Sequence, residues 1–468
     1  MPTYDDLLRL AAAQASMIDA LRARVMELED RLGGNSKNSS RPPSTAGPGR
    51  PKPSPKSLRK RSGRAPGGQR GHEGSTLSQV ADPDVVVEHR PGVCDGCGEE
   101  LPADAEGMGW RARQVFELPP VRPVVTEHRA VLVSCGCGHA TWGGWPVEAT
   151  APACYGPRAR AVALYLYQGQ FLARGRTARA MGELFSAPMS AGTVANFQEA
   201  AHRELEGFEA AADAVAVASA AGFDETGIRV GGENWWLHVA RTGEATALAA
   251  HAKRGAEAMR EIGILPRFRG VAVRDALASY DTFDGMGHQL CGAHLLRDLV
   301  AVTEFLEAHV EYAGASGWVW SDQAAWSLLQ VKAACDRSPD GLCPPGLLES
   351  HRHLMFSAAQ VVLSGGLSPP GAVGAKHMAV ARRIVGRLDD YLRFAATPGV
   401  GFDNNGAERD FRMAKVRMKV SGGLRSAAGA AQFARMRAYL SSCAKNRIGE
   451  LDALVRAFTG DPWLPAAT

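Results

Sequence analysis

Gly401-Phe402-Asp403-Asn404-Asn405-Gly406-Ala407-Glu408-Arg409-Asp410-Phe411-Arg412 reads as a loop rich in helix-capping residues that runs straight into a helix. With Glu408 at the head of that helix, Arg412, Lys415 and Lys419 follow on roughly the same face, at i+4, i+7 and i+11. One carboxylate above a basic stripe suits a site that holds a metal ion and tolerates phosphates. A lone Glu408–Arg412 pair would equally suit a solvated surface helix. Two more acids upstream lift the stretch above that reading.

Each of those acids ends an apolar, strand-like run. Ala218 to Phe223 feeds Asp224-Glu225-Thr226, and Gly270-Val271-Ala272-Val273-Arg274 leads to Asp275. Further runs at Trp235 to Ala240 and Thr246 to Ala250 continue a sheet, and their alternation with helical segments points to an α/β layer. Leu295 to Arg393 is largely helical, broken near Pro339 to Gly346 and again near Gly365 to Gly374. The sheet pattern does not return before Glu408, so a helical insertion separates the second acid from the third. Acids at the ends of adjacent strands, completed by one from a helix, can hold two divalent ions. Magnesium, or manganese, takes oxygen ligands and keeps positions open for water and phosphate. Two such ions about 4 Å apart stabilise both oxygens of an in-line phosphoryl displacement. Asp224 and Asp275 would share ligation and Glu408 would complete the second position, while Arg409, Arg412, Lys415 and Lys419 are candidates for phosphate contact.

The rest of the chain points to nucleic acid. Its 468 residues leave room for several domains, and 45% hydrophobic with 22% charged residues is a soluble composition. The formal charge is only +4, yet Arg31 to His72 holds eleven Lys or Arg and no acid. Such a block is a solvated tail or a polyanion-binding arm. From Ser36 to about Leu77 the composition is that of an extended or disordered linker, with Arg59-Lys60-Arg61 as its densest phosphate-binding cluster. Ahead of it, Leu7, Ala11, Gln14, Ile18, Leu21, Val25, Leu28 and Leu32 alternate steps of four and three, the seam of a coiled coil or a stripe docked on the chain's own body.

Nine cysteines, several in close pairs, fit metal sites better than a disulfide framework. Cys94-Asp95-Gly96-Cys97-Gly98 reads as a zinc-knuckle turn. A β-rich run, Val124 to Val133, leads to Cys135-Gly136-Cys137-Gly138-His139, where His139 could replace one cysteine as fourth ligand. Buried free thiols are the alternative. After Pro157 the pattern is helical. Arg176 to Phe185, a turn at Ala187-Pro188-Met189, and a second helix capped by Ser190 resemble a helix-turn-helix, with Thr193, Asn196 and Gln198 available to DNA. Two packed helices with no DNA role fit the same pattern. No apolar N-terminal core suits a signal peptide and no run reaches spanning length, so a reducing cytosol is the expected compartment.

Asp224-Glu225-Thr226, Asp275 after its strand, Cys291-Gly292-Ala293-His294-Leu295-Leu296-Arg297 and Asn404-Asn405-Gly406-Ala407-Glu408-Arg409 together resemble DDE transposases of the bacterial insertion-sequence sixty-six family. Asn35-Ser36-Lys37-Asn38-Ser39-Ser40, Pro42-Pro43-Ser44, the Gly67 to Gly74 run and the cysteine module are similar to that family too, and Lys419 to Arg425 continues the likeness past the third acid. The resemblance implies a ribonuclease-H-like core whose catalytic residues are Asp224, Asp275 and Glu408, preceded by a zinc-binding domain and a helix-turn-helix.

The expected protein is therefore a multidomain α/β chain. Residues 1–34 form a coiled-coil helix, 35–80 a basic disordered linker, 81–148 a zinc-binding domain holding one ion on Cys94, Cys97, Cys135 and Cys137, and 149–215 a helical DNA-binding domain. Residues 216–290 begin the core, 291–400 are the helical insertion, and 401–468 complete the core. Its expected work is to bind the ends of a mobile element as a homodimer or higher oligomer, with accessory proteins as further partners, and to cut and join DNA there. A zinc-containing regulator on a dead nuclease core, and a nuclease that cuts without joining, are the competing readings.

Overall fold

A computed structural model of the chain describes residues 3–33, 76–365 and 367–465. The arm residues Arg59, Lys60 and Arg61 lie outside the described residues. Contacts divide the chain into two units, Lys56–Arg122 and the remainder.

The first described element, helix α1 (Tyr4–Gly33), spans the heptads. It meets the body of the larger unit, but not through the heptad stripe. Met26 is buried, Glu29 pairs with His309 at 3.4 Å and Asp30 pairs with Lys376, whereas Ile18, Leu21, Val25, Leu28 and Leu32 are all exposed. Docking on the chain's own body thus uses the neighbouring face of α1 and leaves the apolar seam uncovered.

In the smaller unit the Cys94–Gly98 segment is a tight turn, with Gly98 N–H donating to Cys94 O at 2.9 Å and Gly98 at φ +78°. In the larger unit, strands β1 (Leu132–Ser134) and β2 (Ala140–Trp142) pair antiparallel around the Cys135–His139 turn. The extended run expected from Val124 forms a strand only from Leu132 onward. β-propensity takes effect where a residue meets a partner strand, and β2 pairs only with Leu132 to Ser134.

Helices α2 (Pro157–Leu164), α3 (Arg174–Phe185) and α4 (Ala191–Glu204) follow, with Pro157 at the start of α2 and the Ser190 hydroxyl accepting from Thr193 N–H at 3.0 Å to cap α4. α5 (Ala210–Ala216) then leads into the sheet.

That sheet is built from β3 (Ala220–Val230), β4 (Glu233–Arg241) and β5 (Thr246–His251), then β6 (Val271–Arg274) after helix α6 (Ala256–Ile262), and β7 (Gly287–Leu290). The spatial order is β5-β4-β3-β6-β7: three antiparallel strands carried on by two parallel ones. Gly231 and Gly232, both at positive φ, supply the two-residue turn between β3 and β4. Strand alternation then sorts the faces. Ile228, Val230, Leu237 and Val239 share one core with Phe411, Ala414 and Phe433, whereas Ala221, Phe223 and Ala240 share another with Met259, Phe268 and Tyr280.

The insertion is helical: α7 (Gly292–Ala308), α8 (Trp320–Arg337), α9 (Pro345–Leu363) and α10 (Gly371–Leu392), packed around Leu299, Trp320, Leu328, Met355 and Ile384. Helices α11 (Asn405–Ser421), α12 (Ala427–Lys445) and α13 (Glu450–Phe458) return to the sheet and to the α2–α4 layer. Among the described residues no helix is long and apolar enough to cross a membrane.

Candidate active site

The parallel ladder sets the first relationship. Gly222 of β3 is level with Val273 of β6, and continuing that register by two residues brings Asp275 level with Asp224. Neighbouring strands lie about 4.8 Å apart, so carboxylates at one level are close neighbours. Asp224 has the parity of Ile228 and Val230, which places it on the face covered by α11.

Glu408 is brought to that face by the head of α11, and several contacts fix the head. The Asn404 side-chain amide donates to Phe223 O at 2.6 Å, one residue before Asp224. The Asn404 backbone N–H lies 3.3 Å from the Cys291 sulfur, and Gly292 N–H donates to Phe402 O at 2.9 Å. A side chain at Gly292 would run into the Phe402 ring. The Cys291-Gly292-Ala293-His294 motif therefore seats the loop that carries α11. Burial pushes the Cys291 thiol up to about 11, so it sits there neutral. His294 completes the junction, its Nε2 3.8 Å from Glu408 Oε1.

Two residues past Glu408, Asp410 latches α11 to the sheet edge. Its carboxylate accepts from Ser441 Oγ at 2.9 Å and Thr246 Oγ1 at 3.2 Å, and pairs with Arg241 at 3.2 Å and Lys445 at 3.3 Å. Burial lowers the Lys445 ammonium to about 8, against the pull of Asp410. Arg409 beside the latch, and Arg412, Lys415 and Lys419 beyond it, are exposed along α11.

Electrostatically the site is short of positive charge. Burial, and then the charges of Glu225, Asp275 and Glu408, push the Asp224 carboxyl up to about 8, opposed by the Glu225 N–H that it accepts. Within each unit's described residues, no three His, Cys, Asp or Glu side chains are gathered tightly enough to hold an ion as they stand. The chemistry of the donor set nevertheless fits a divalent cation: buried oxygen donors that repel one another lose that repulsion when a cation enters.

The cysteine turns share a different character. Cys94 is held below the usual thiol value by the N–H groups of Cys97 and Gly96, and Cys135 by the N–H and thiol of Cys137. Gly98 and Gly138, at φ +78° and +89°, each close a turn by donating to the carbonyl of its first cysteine, Cys94 or Cys135. Cys94 and Cys135 are thus disposed toward thiolate, the form that binds zinc. His139 is exposed.

In the helical layer, Asn196 is exposed and Thr193 half-buried on α4, but Gln198 is buried. It accepts from Arg174 and donates to Gln432 on α12, both at 3.0 Å, so it holds the layers together and is not available to DNA. Positions 194, 197, 198 and 201 form one side of the helix, and that side faces inward.

Sequence reasoning passed over Asn404 as a hydrogen-bonding anchor, Gly292 and Phe402 as a packed pair, and the Asp410 latch. The density of Asn and Gly before Glu408 was the one available signal for Asn404.

Residues 153–338 match a family model described as Transposase IS66 family. That stretch of the chain is an IS66-family transposase domain. It contains Asp224, Asp275, Cys291 and His294, while Glu408 lies beyond it. Residues 5–78 match a second model, a family of unknown function, DUF6444. No curated protein matches the chain.

Proposed function

We propose that this transposase binds the ends of its own mobile element, cleaves DNA there with divalent metal, and joins the freed 3′-ends to target DNA. The observation that carries the reading is the placement of Asp224 and Asp275 level on neighbouring parallel strands, with Glu408 held over the same face by the Asn404 anchor. A three-stranded antiparallel meander continued by two parallel strands supports the ribonuclease-H-like core that the family resemblance implies. Asp224 and Asp275 would hold a shared magnesium or manganese ion, and Glu408 a second. Bound there, the ions would lower the pKa of an attacking water or 3′-hydroxyl and take up charge on the leaving oxygen. The protein's share is positional: the strand register sets two carboxylates and the anchored helix head sets the third. Arg412, Lys415 and Lys419, exposed along the same helix, would lead the DNA backbone toward them.

The cysteine turns would hold one zinc ion, on Cys94, Cys97, Cys135 and either Cys137 or His139. The exposed α1 seam supports pairing of two copies, which concerted cutting of two element ends calls for.

The deciding experiment incubates the purified chain with its own terminal DNA and magnesium, then resolves cleaved and joined products. Cleavage and joining that vanish with Asp224→Ala, Asp275→Ala or Glu408→Ala, end binding being retained, are expected. Products unchanged by all three substitutions would rule out the assignment. Cleavage with no joined product would leave a nuclease.

A further inference from the structure

The charges on the other face of β3 are not accounted for by the three acids. Glu225 shares that face with Phe223 and His238, and its side chain is fully buried. One carboxylate oxygen accepts from Tyr280 Oη at 2.8 Å, and the other from Arg254 Nε, also at 2.8 Å. A second Arg254 nitrogen lies 2.8 Å from that same oxygen and 3.9 Å from Asp275. The guanidinium rests over the Trp236 ring, 4.9 Å from its centre, and the side chain is 40% exposed.

A carboxylate buried to this depth costs several kcal/mol unless its partners repay it, so the Glu225–Tyr280 pair is an expensive mount. What it mounts is held in one orientation: by two nitrogens at a single oxygen, by an aromatic floor, and by a strand that runs on past the end of β6. And Arg254 uses only part of its five N–H donors on Glu225, while one of its nitrogens also lies 3.9 Å from Asp275. Its spare donors and its 40% exposure leave the guanidinium able to take an anionic ligand while Glu225 still holds it.

We propose that Arg254 is a phosphate-contacting residue of this site, aimed by Glu225 and Tyr280. This rests on the strand-cleavage reading above. The ligand is a backbone phosphate of DNA drawn up to Asp224 and Asp275, where acids alone would repel it. The planar fork meets two oxygens of such a group, which a lysine ammonium does not do.

The test uses the full chain with a mixed-sequence DNA duplex standing in for target DNA. Binding is measured across a salt series for the native chain, Arg254→Gln, Arg254→Lys and the paired Glu225→Gln/Arg254→Gln variant. The paired variant leaves no unmatched buried charge and so guards against misfolding. Loss of one phosphate contact should lower the slope of log affinity against log salt by about one in both glutamine variants, and leave it near native in the lysine variant. Metal-dependent cleavage of end DNA should fall by about a hundredfold in Arg254→Gln, with a substantial loss in Arg254→Lys because the fork is gone. A native salt slope and native cleavage in the folded glutamine variants would overturn the proposal and leave Arg254 as a clasp. A chain that binds the duplex but never cuts end DNA would overturn the strand-cleavage reading, and the slope would still decide Arg254. A native chain that binds no DNA would overturn both.

Discussion

Asn404 donates its side-chain amide to the carbonyl of Phe223, 2.6 Å away, and so ties the head of α11 to the strand residue that precedes Asp224. The same side chain sits so close over Gly222 that a Cβ there would come within 2.7 Å of its oxygen. One buried amide thereby sets the distance between the strand that carries two acids' register and the helix that carries the third.

Replacing Asn404 by Ala removes that tie and leaves the Phe223 carbonyl without its donor, at a cost of roughly 1–3 kcal/mol. Cleavage is expected to fall much further than end binding, because the basic stripe of α11 is retained while Glu408 is no longer held in place. Thermal melting and a parallel gel assay of binding and cleavage check this. Equal losses in the two activities would show that Asn404 only supports the fold.

The raised Asp224 carboxyl has a defined sign. Its folded value, about 8, lies above the ordinary 3.8, so the folded chain holds a proton that the unfolded chain has released. The resulting stability is fully present below about pH 4 and is lost as pH rises toward 8. Melting temperature in chelator should therefore decline across that window, and Asp224→Asn should flatten the decline. Magnesium should raise the melting temperature most at the alkaline end, because binding requires the ionised carboxylate. A magnesium effect that is larger at pH 5 than at pH 8 would contradict the assignment of Asp224 as a ligand.

Gly292→Ala places a methyl group against the Phe402 ring, where no space exists. The loop from Phe402 to Asn404 must shift, and Glu408 with it. Pairing it with Phe402→Leu, which frees room, should recover part of the lost cleavage, as expected of two residues in contact. An alanine variant with native activity would mean that the loop yields at no cost.

For the cysteine turns, metal analysis should find about one zinc per chain, lowered by Cys94→Ser, with faster proteolysis of that module. A zinc-free preparation of equal protease resistance would reject the ion.

Much of this architecture is legible in the chain itself. Asp275 and Glu408 stand out because one follows the end of β6 and the other lies in the first turn of α11, and Pro and Gly mark the breaks between the insertion helices. Asp224 reads as the end of its strand but lies within β3, which runs on to Val230 because its second half pairs with β4. Pairing is another matter. Nothing in the runs around Ala221 and Val273 says that they lie side by side in parallel, since the register arises from packing between segments fifty residues apart. Polarity alone marks Gln198 as available, but neighbours on a distant helix decide which way it faces. Val124 to Val133 has the composition of a strand, yet for most of its length it lacks a partner to pair with. The Arg254–Glu225 clasp escaped for a similar reason. An Asp-Glu pair on one strand places the second acid on the opposite face, where a residue 29 positions later meets it.

The α1 seam gives the last prediction, because its two faces can be separated. Met26 and Asp30 engage the insertion, whereas Leu21, Val25 and Leu28 are exposed on the heptad face. A solvent-facing stripe of that length on a helix of 30 residues is the surface that a second copy would cover. Charges placed on it should therefore act on association alone. Leu21→Lys with Leu28→Lys is expected to reduce the mass seen by light scattering to that of one chain while leaving the melting temperature within a degree or two. Met26→Ala should do the reverse, loosening α1 from α10 with the oligomer intact. Pairing also brings two copies of the acid-free Arg31–His72 segment together, so the lysine variant should bind DNA with a shallower salt dependence despite its added charge. Unchanged mass in the lysine variant would show that the seam is not the pairing surface. Unchanged mass together with a native salt slope would leave the arm as a spacer and move DNA contact to α4 and the basic face of α11.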